Sequence, residues 1–110
     1  MNWEQWDAVW APSWGKDHPG VILTPTPFLG KQWINFLPCT TLSAGRARTA
    51  LTEIILDEAD GLENPTLCKL VPIFVAEPQE LSARWGRVCV ERRRLIGQRL
   101  AGLYRLLEQS

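Results

Sequence analysis

Histidine is almost missing from this sequence: there is one, His18. A single imidazole excludes most histidine-based metal centres and any acid–base pair built from two histidines. Cysteine is scarce as well. Cys39, Cys68 and Cys89 make an odd count with no Cys-x-x-Cys spacing. That argues against a disulfide scaffold and a structural zinc site, and a reducing, cytoplasmic compartment is expected. No apolar run approaches the roughly 20 residues of a membrane span. Met1–Asp7 lacks the basic start and apolar stretch of a signal peptide. No glycines fall at the spacing of a phosphate loop or a dinucleotide fingerprint, and no Ser-His-Asp order carries family-type flanks. Neither sign of charge dominates, with 12 basic residues facing 12 acidic ones, so histone-like and acidic-tail readings fall away.

What is present suits one globular domain over residues 1–110: 45% hydrophobic and 22% charged, with no room for a second core. The charges are unevenly placed. From Arg84 onward, Arg84, Arg87, Arg92, Arg93, Arg94, Arg99 and Arg105 meet only Glu91 and Glu108. Such an end suits an anionic partner, although a solvated helix face explains it more simply.

Proline or glycine punctuates residues 1–90 about every ten residues, the rhythm of a small all-β barrel. The expected strands are Trp6–Ala11, stopped by Pro12; Gly20–Thr24; Gln32–Leu37, reading on into Pro38-Cys39-Thr40-Thr41; Thr52–Leu56; and Thr66–Val75, where Pro72 marks an edge or bulge. Trp3, Trp6, Trp10 and Trp14 also fit helical spacing. The alternation of Trp6, Ala8 and Trp10 with Asp7, Val9 and Ala11 favours a strand. Pro78–Arg84 suits a short helical turn and Arg87–Val90 a last strand. From Glu91 to Leu107 the period changes: Leu95, Ile96, Leu100, Leu103, Leu106 and Leu107 step by three and four, which predicts an amphipathic helix. The fold class is therefore mainly β with a C-terminal helix.

The polar residues that could do chemistry sit at strand ends. Lys16-Asp17-His18 precedes the second strand and Thr40-Thr41 follows the third. Converging at one rim, an imidazole, an ammonium and two hydroxyls could hold a phosphodiester. Composition and spacing alone favour the plainer reading of His18 as a loop residue before a proline. Trp14, beside Gly15, is a candidate platform for stacking a base. The other tryptophans read as core or interface.

The order of segments resembles the MazF/PemK (Kid-like) toxins of toxin–antitoxin systems. Trp6-Asp7-Ala8-Val9-Trp10 is similar to their opening Gly-Asp-Val-aromatic strand. His18-Pro19-Gly20-Val21-Ile22-Leu23 stands where they have Arg-Pro and an aliphatic strand. Ile34-Asn35-Phe36-Leu37-Pro38-Cys39-Thr40-Thr41 resembles their strand ending in Ile-Thr-Ser. Glu53-Ile54-Ile55-Leu56 with Asp60-Gly61-Leu62 matches the next strand and turn. Thr66–Glu77 and Leu81–Leu107 resemble the remaining strand and the closing turn, strand and helix.

The resemblance implies an SH3-like small barrel of the CcdB/MazF-like plasmid maintenance toxin fold, a homodimer, a cognate antitoxin protein and cleavage of single-stranded RNA without metal or other cofactor. In the family the ribose 2′-hydroxyl attacks the adjacent phosphate. An Arg before proline and a Thr at the end of the third strand hold that phosphate. Carried over, His18 and Thr40 are the catalytic candidates. Lys16, Asp17, Thr41, Arg46, Arg48 and Lys69 are candidates for RNA and phosphate, and Trp14 for a base. The departures are specific: His18 replaces the arginine, the loop before it is short, Val71 falls where Kid-like members carry an acid–base Asp, and Phe74 where they carry an Arg. The alternatives implied are a non-enzymatic, gyrase-directed toxin of the CcdB branch and a non-catalytic binding module. As acid or as base, His18 would make cleavage vary across roughly pH 5–8, where imidazoles titrate.

Overall fold

A two-residue turn at Trp14-Gly15 begins the architecture. It folds β1 (Asp7–Ser13) back onto β2 (Lys16–Ile22), with Ser13 and Lys16 as the closing pair. The computed structural model describes residues 3–30, 33–42 and 50–109. After the hairpin come β3 (Ile34–Thr41), β4 (Glu53–Leu56), β5 (Thr66–Lys69), β6 (Phe74–Ala76), β7 (Ser82–Arg87) and α1 (Val90–Gln109). Short 3-10 turns occupy Thr26–Phe28, Glu58–Asp60 and Pro78–Glu80.

All pairings are antiparallel, in the order β4-β5-β3-β2-β1-β7. β3 is the pivot. It pairs with β2 through Phe36–Pro38, with β6 through Ile34–Phe36 and with β5 through Cys39–Thr41. β4 and β7 do not meet, so the sheet is a half-barrel rather than a closed one. The expected β class with a terminal helix is observed.

Both faces of the central strands are covered. Ala8, Val21, Leu37, Cys39, Ile54, Leu56, Cys68 and Leu70 form one core under α1, joined by Ile96 and Val88. Val9, Ala11, Ile22, Ile34, Phe36, Ala76 and Leu81 form the second on the opposite face. This accounts for the apolar character of both alternating sets in β1. Trp10 lies at the surface, stacked on Trp85 of β7 with ring centroids 5.8 Å apart. β7 follows β1 through two register shifts rather than straight rungs.

Several boundaries differ from the sequence expectation. β1 passes through Pro12 to Ser13. The β7 ladder has already ended at Trp10, so one edge of β1 is open there and a missing N–H breaks no rung. β2 begins at Lys16, pulled into register by the tight turn. The expected strand Thr66–Val75 is two strands separated around Pro72, pairing with different parts of β3. The last strand is Ser82–Arg87, and Val90 already belongs to the helix. On α1, Ile96, Leu100 and Leu103 face the core, whereas Leu95 and Leu106 are exposed. The side chain of Leu107 lies outside the described residues. Leu70, Val71, Ile73, Leu100, Leu103 and Tyr104 line an apolar groove of about 210 Å³ beside the helix.

The basic end of the chain is used internally. Arg92 grips Asp57 with two parallel hydrogen bonds of 2.8 and 3.0 Å and also bonds the buried Asp60. Asp60 receives the Cys89 N–H at 2.8 Å and the Asp57 N–H at 2.9 Å. This ties the start of α1 to the β4–β5 turn. The turn approaches so closely that a Cβ on Gly86 would stand 2.5 Å from the Asp60 carbonyl oxygen. Arg87 bonds Glu4 and, at 3.1 Å, the fully buried Asp7, with Arg84 at 3.7 Å from the same carboxylate. Arg93 donates to the Val88 carbonyl and Arg99 to that of Glu53, each at 2.7 Å. These arginines are fasteners, not a free anion-binding face.

Candidate functional site

The β1–β2 hairpin sets the site. Trp14 and Gly15 both take positive φ, +51° and +79°. Two left-handed residues are the signature of a type I′ turn, whose twist matches that of paired strands. Glycine adopts this freely; tryptophan does so only where its surroundings hold it. Those surroundings are aromatic. The Trp14 ring meets His18 edge-on at 5.7 Å and Phe74 edge-on at 5.3 Å, and Phe74 in turn stacks on Phe36 at 5.9 Å. Trp14 stays half exposed and His18 half buried.

Register fixes which side chains share this face. Ala11 pairs with His18 and Ser13 with Lys16, so these four lie on one side of the hairpin. The β2–β3 ladder ends at Gly20↔Pro38. Gly20 is required there, since a Cβ would stand 2.7 Å from the Phe36 ring. The ladder thus stops two residues short of His18 and Thr40, and alternation turns both side chains to the face of Gly20 and Pro38. Lys69 shares this face further along, because Thr40 pairs with Leu67 two residues before it. Its ammonium lies 3.9 Å from the Glu53 carboxylate. Alternation turns Asp17 and Thr41 to the opposite face. Arg46 and Arg48 lie outside the described residues.

The structure thus brings His18, Trp14 and Lys16 together on the hairpin; Thr40 lies on β3 on the same face, and Lys69 is held in an ion pair with Glu53. Lys16 has no acidic partner and His18 no hydrogen bond among the described residues. Both are open to a ligand oxygen. Val71 is exposed on the β5–β6 connection, outside this cluster, and Phe74 supplies a ring where an arginine was the family pattern. The sequence reading passed over Ser13, which is 2% exposed with its hydroxyl unpartnered among the described residues. The clue available was the two-residue turn, which fixes Ser13 opposite Lys16. Chemically the set offers one proton-transfer group, one ammonium and hydroxyl donors, the equipment for gripping a phosphodiester. Among the described residues no cluster of His, Cys, Asp or Glu could hold a metal ion. No helix is long and apolar enough to cross a membrane among them.

No protein-family model and no characterised protein matches the sequence. The fold does find matches among solved structures. The chain is similar to MazF in a MazE–MazF structure from Deinococcus radiodurans, with TM-score 0.74 and 15% identity over 94% of this chain and 96% of that one. It is similar to an endoribonuclease from a mycobacterial species, with TM-score 0.72 and 19% identity over 93% and 91%. The Mycobacterium tuberculosis toxin MazF-mt6 gives TM-score 0.70 and 19% identity over 88% and 95%. At these identities the likeness establishes the fold, which is that of the MazF toxins.

Proposed function

We propose that this chain is the toxin of a type II toxin–antitoxin pair and an endoribonuclease that cuts single-stranded RNA. The observation that supports the reading is a MazF fold whose β1–β2 hairpin sets His18 on the same face as Lys16, with the Trp14 ring edge-on to its imidazole. In the reaction proposed, the ribose O2′ attacks the neighbouring phosphorus and the P–O5′ bond breaks. The O2′ proton passes to solvent. Protonated His18 donates to the departing O5′, giving a cyclic phosphate and a 5′-hydroxyl. The Thr40 hydroxyl donates to the non-bridging oxygen where charge builds. Lys16 adds a positive charge for the RNA backbone beside this centre, and Trp14 offers its exposed face to a base.

Purified protein incubated with a long RNA in EDTA tests this. The expected products carry cyclic-phosphate and 5′-hydroxyl ends at defined positions. Absence of both binding and cutting between roughly pH 5 and 8, the range of imidazole titration, ends the RNA reading. Binding without cutting leaves a non-catalytic module of the same fold.

The partners proposed are a cognate antitoxin, as in the mycobacterial endoribonuclease structure described in complex with its antitoxin, and a second copy of this chain, in the cytoplasm. Small domains expose a large share of their surface, and association covers it. Val71, Ile73, Tyr104 and Leu106 are apolar residues left exposed here. Light scattering at micromolar concentration is expected to give the dimer mass; the monomer mass refutes the pairing.

A further inference from the structure

A serine hydroxyl buried without a partner destabilises a protein, because it loses its water hydrogen bonds and gains nothing in exchange. Ser13 is in that position: it is 2% exposed and its Oγ has no hydrogen-bond partner among the described residues. Its location is not arbitrary. It closes the hairpin directly opposite Lys16, whose ammonium has no acidic partner among those residues, and it lies on the same face as His18. The rings of Trp14, His18 and Phe74 gather on that face.

We propose that the Ser13 hydroxyl and the Lys16 ammonium form a second phosphate subsite, next along the RNA from the phosphate held by His18 and Thr40. This rests on the RNA reading given above. Ser13 and Lys16 stand two residues from Ala11 and His18 along the hairpin, about 7 Å, the scale of one nucleotide step. An anionic oxygen there accepts from a neutral hydroxyl and a charged ammonium together, which are the donors a phosphate needs. Ser13 is buried in the free protein, so the oxygen reaches it only when a neighbour gives way, a movement we assign to the half-exposed Trp14, next to it in the turn. The orphaned donor is then satisfied only in the complex, so its unfavourable term in the free protein becomes a favourable one on binding.

The test separates binding from chemistry. A fluorescent 2′-O-methyl RNA of randomised sequence cannot be cleaved, and its affinity is read by anisotropy across a salt series. Ser13→Ala is expected to weaken binding about tenfold with an unchanged salt slope, as loss of a neutral donor to a charged acceptor should. Lys16→Gln is expected to weaken it and to reduce the slope of log K against log salt by about 0.7, one phosphate contact on a single strand. Thermal melting of Ser13→Ala should be no lower than wild type, since no folded-state bond is lost. Equal affinity of Ser13→Ala and wild type overturns the subsite while leaving the RNA reading intact. A lower melting temperature with unchanged affinity does the same, and shows a hydroxyl that serves the fold. If the wild-type protein binds no RNA, the two readings fall together.

Discussion

His18→Ala should slow RNA cleavage by about 10²- to 10⁴-fold, the range that one general acid contributes. The imidazole faces the hairpin cluster with no competing hydrogen bond among the described residues, so its loss removes a donor from substrate, not from the fold. Thr40→Ala should lose about 10²-fold through the missing donor to the developing charge. Where an arginine donates at every pH, an imidazole substitutes for it only when protonated. His18→Arg should bind uncleavable RNA at least as well as wild type, because the fork grips phosphate with two prongs. A His18→Ala protein that cuts like wild type removes the imidazole from the site.

How far these residues could be read in advance depends on how local their causes are. The strand at Trp6–Ala11 was legible because its alternation is a property of neighbours in sequence, and α1 because its apolar period changes at Glu91. Pro12 misled, since whether a missing N–H matters depends on where a non-adjacent strand, β7, stops. The site divides in the same way. His18 and Thr40 carry a family pattern in their immediate flanks. Ser13 carries none, and only its burial and orphaned hydroxyl single it out. The arginines were least legible of all. Arg92 finds Asp57 and Asp60 at separations of 35 and 32 residues, and Arg87 finds Asp7 at 80. Pairing across such distances is set by topology. A charge run that reads as an exposed basic face becomes, once folded, a set of clamps.

Arg92→Ala should destabilise the protein by about 3 kcal/mol, the lower range for removing one partner of a buried ion pair. For a domain of this length that lowers the melting temperature by roughly 15 °C. The reason is Asp60, which is 1% exposed and, among the described residues, keeps the N–H groups of Asp57 and Cys89 once the guanidinium is gone. The loss is also positional, because the clamp fastens the first turn of α1 to the β4–β5 turn, and α1 covers one of the two cores. Arg92→Lys should recover part of the loss. A single ammonium keeps the charge but cannot hold both oxygens of Asp57 while reaching Asp60. Acid supplies the second readout. The Arg92 hydrogen bonds, and after them the Ala59 N–H, hold the Asp57 carboxyl below its usual range. A carboxyl depressed in the folded state stabilises above its unfolded value and loses that contribution as pH falls through the folded one. The wild-type protein should therefore lose stability more steeply than Arg92→Ala below about pH 4, where free carboxylates protonate, and the two melting curves should converge. Denaturant unfolding at neutral pH and at about pH 3 measures both terms, the lower pH lying below the free carboxylate range. A neutral-pH difference of only a few tenths of a kcal/mol, of the kind exposed surface pairs give, contradicts the clamp. A large difference that persists unchanged in acid leaves Arg92 important but assigns its effect to packing, not charge.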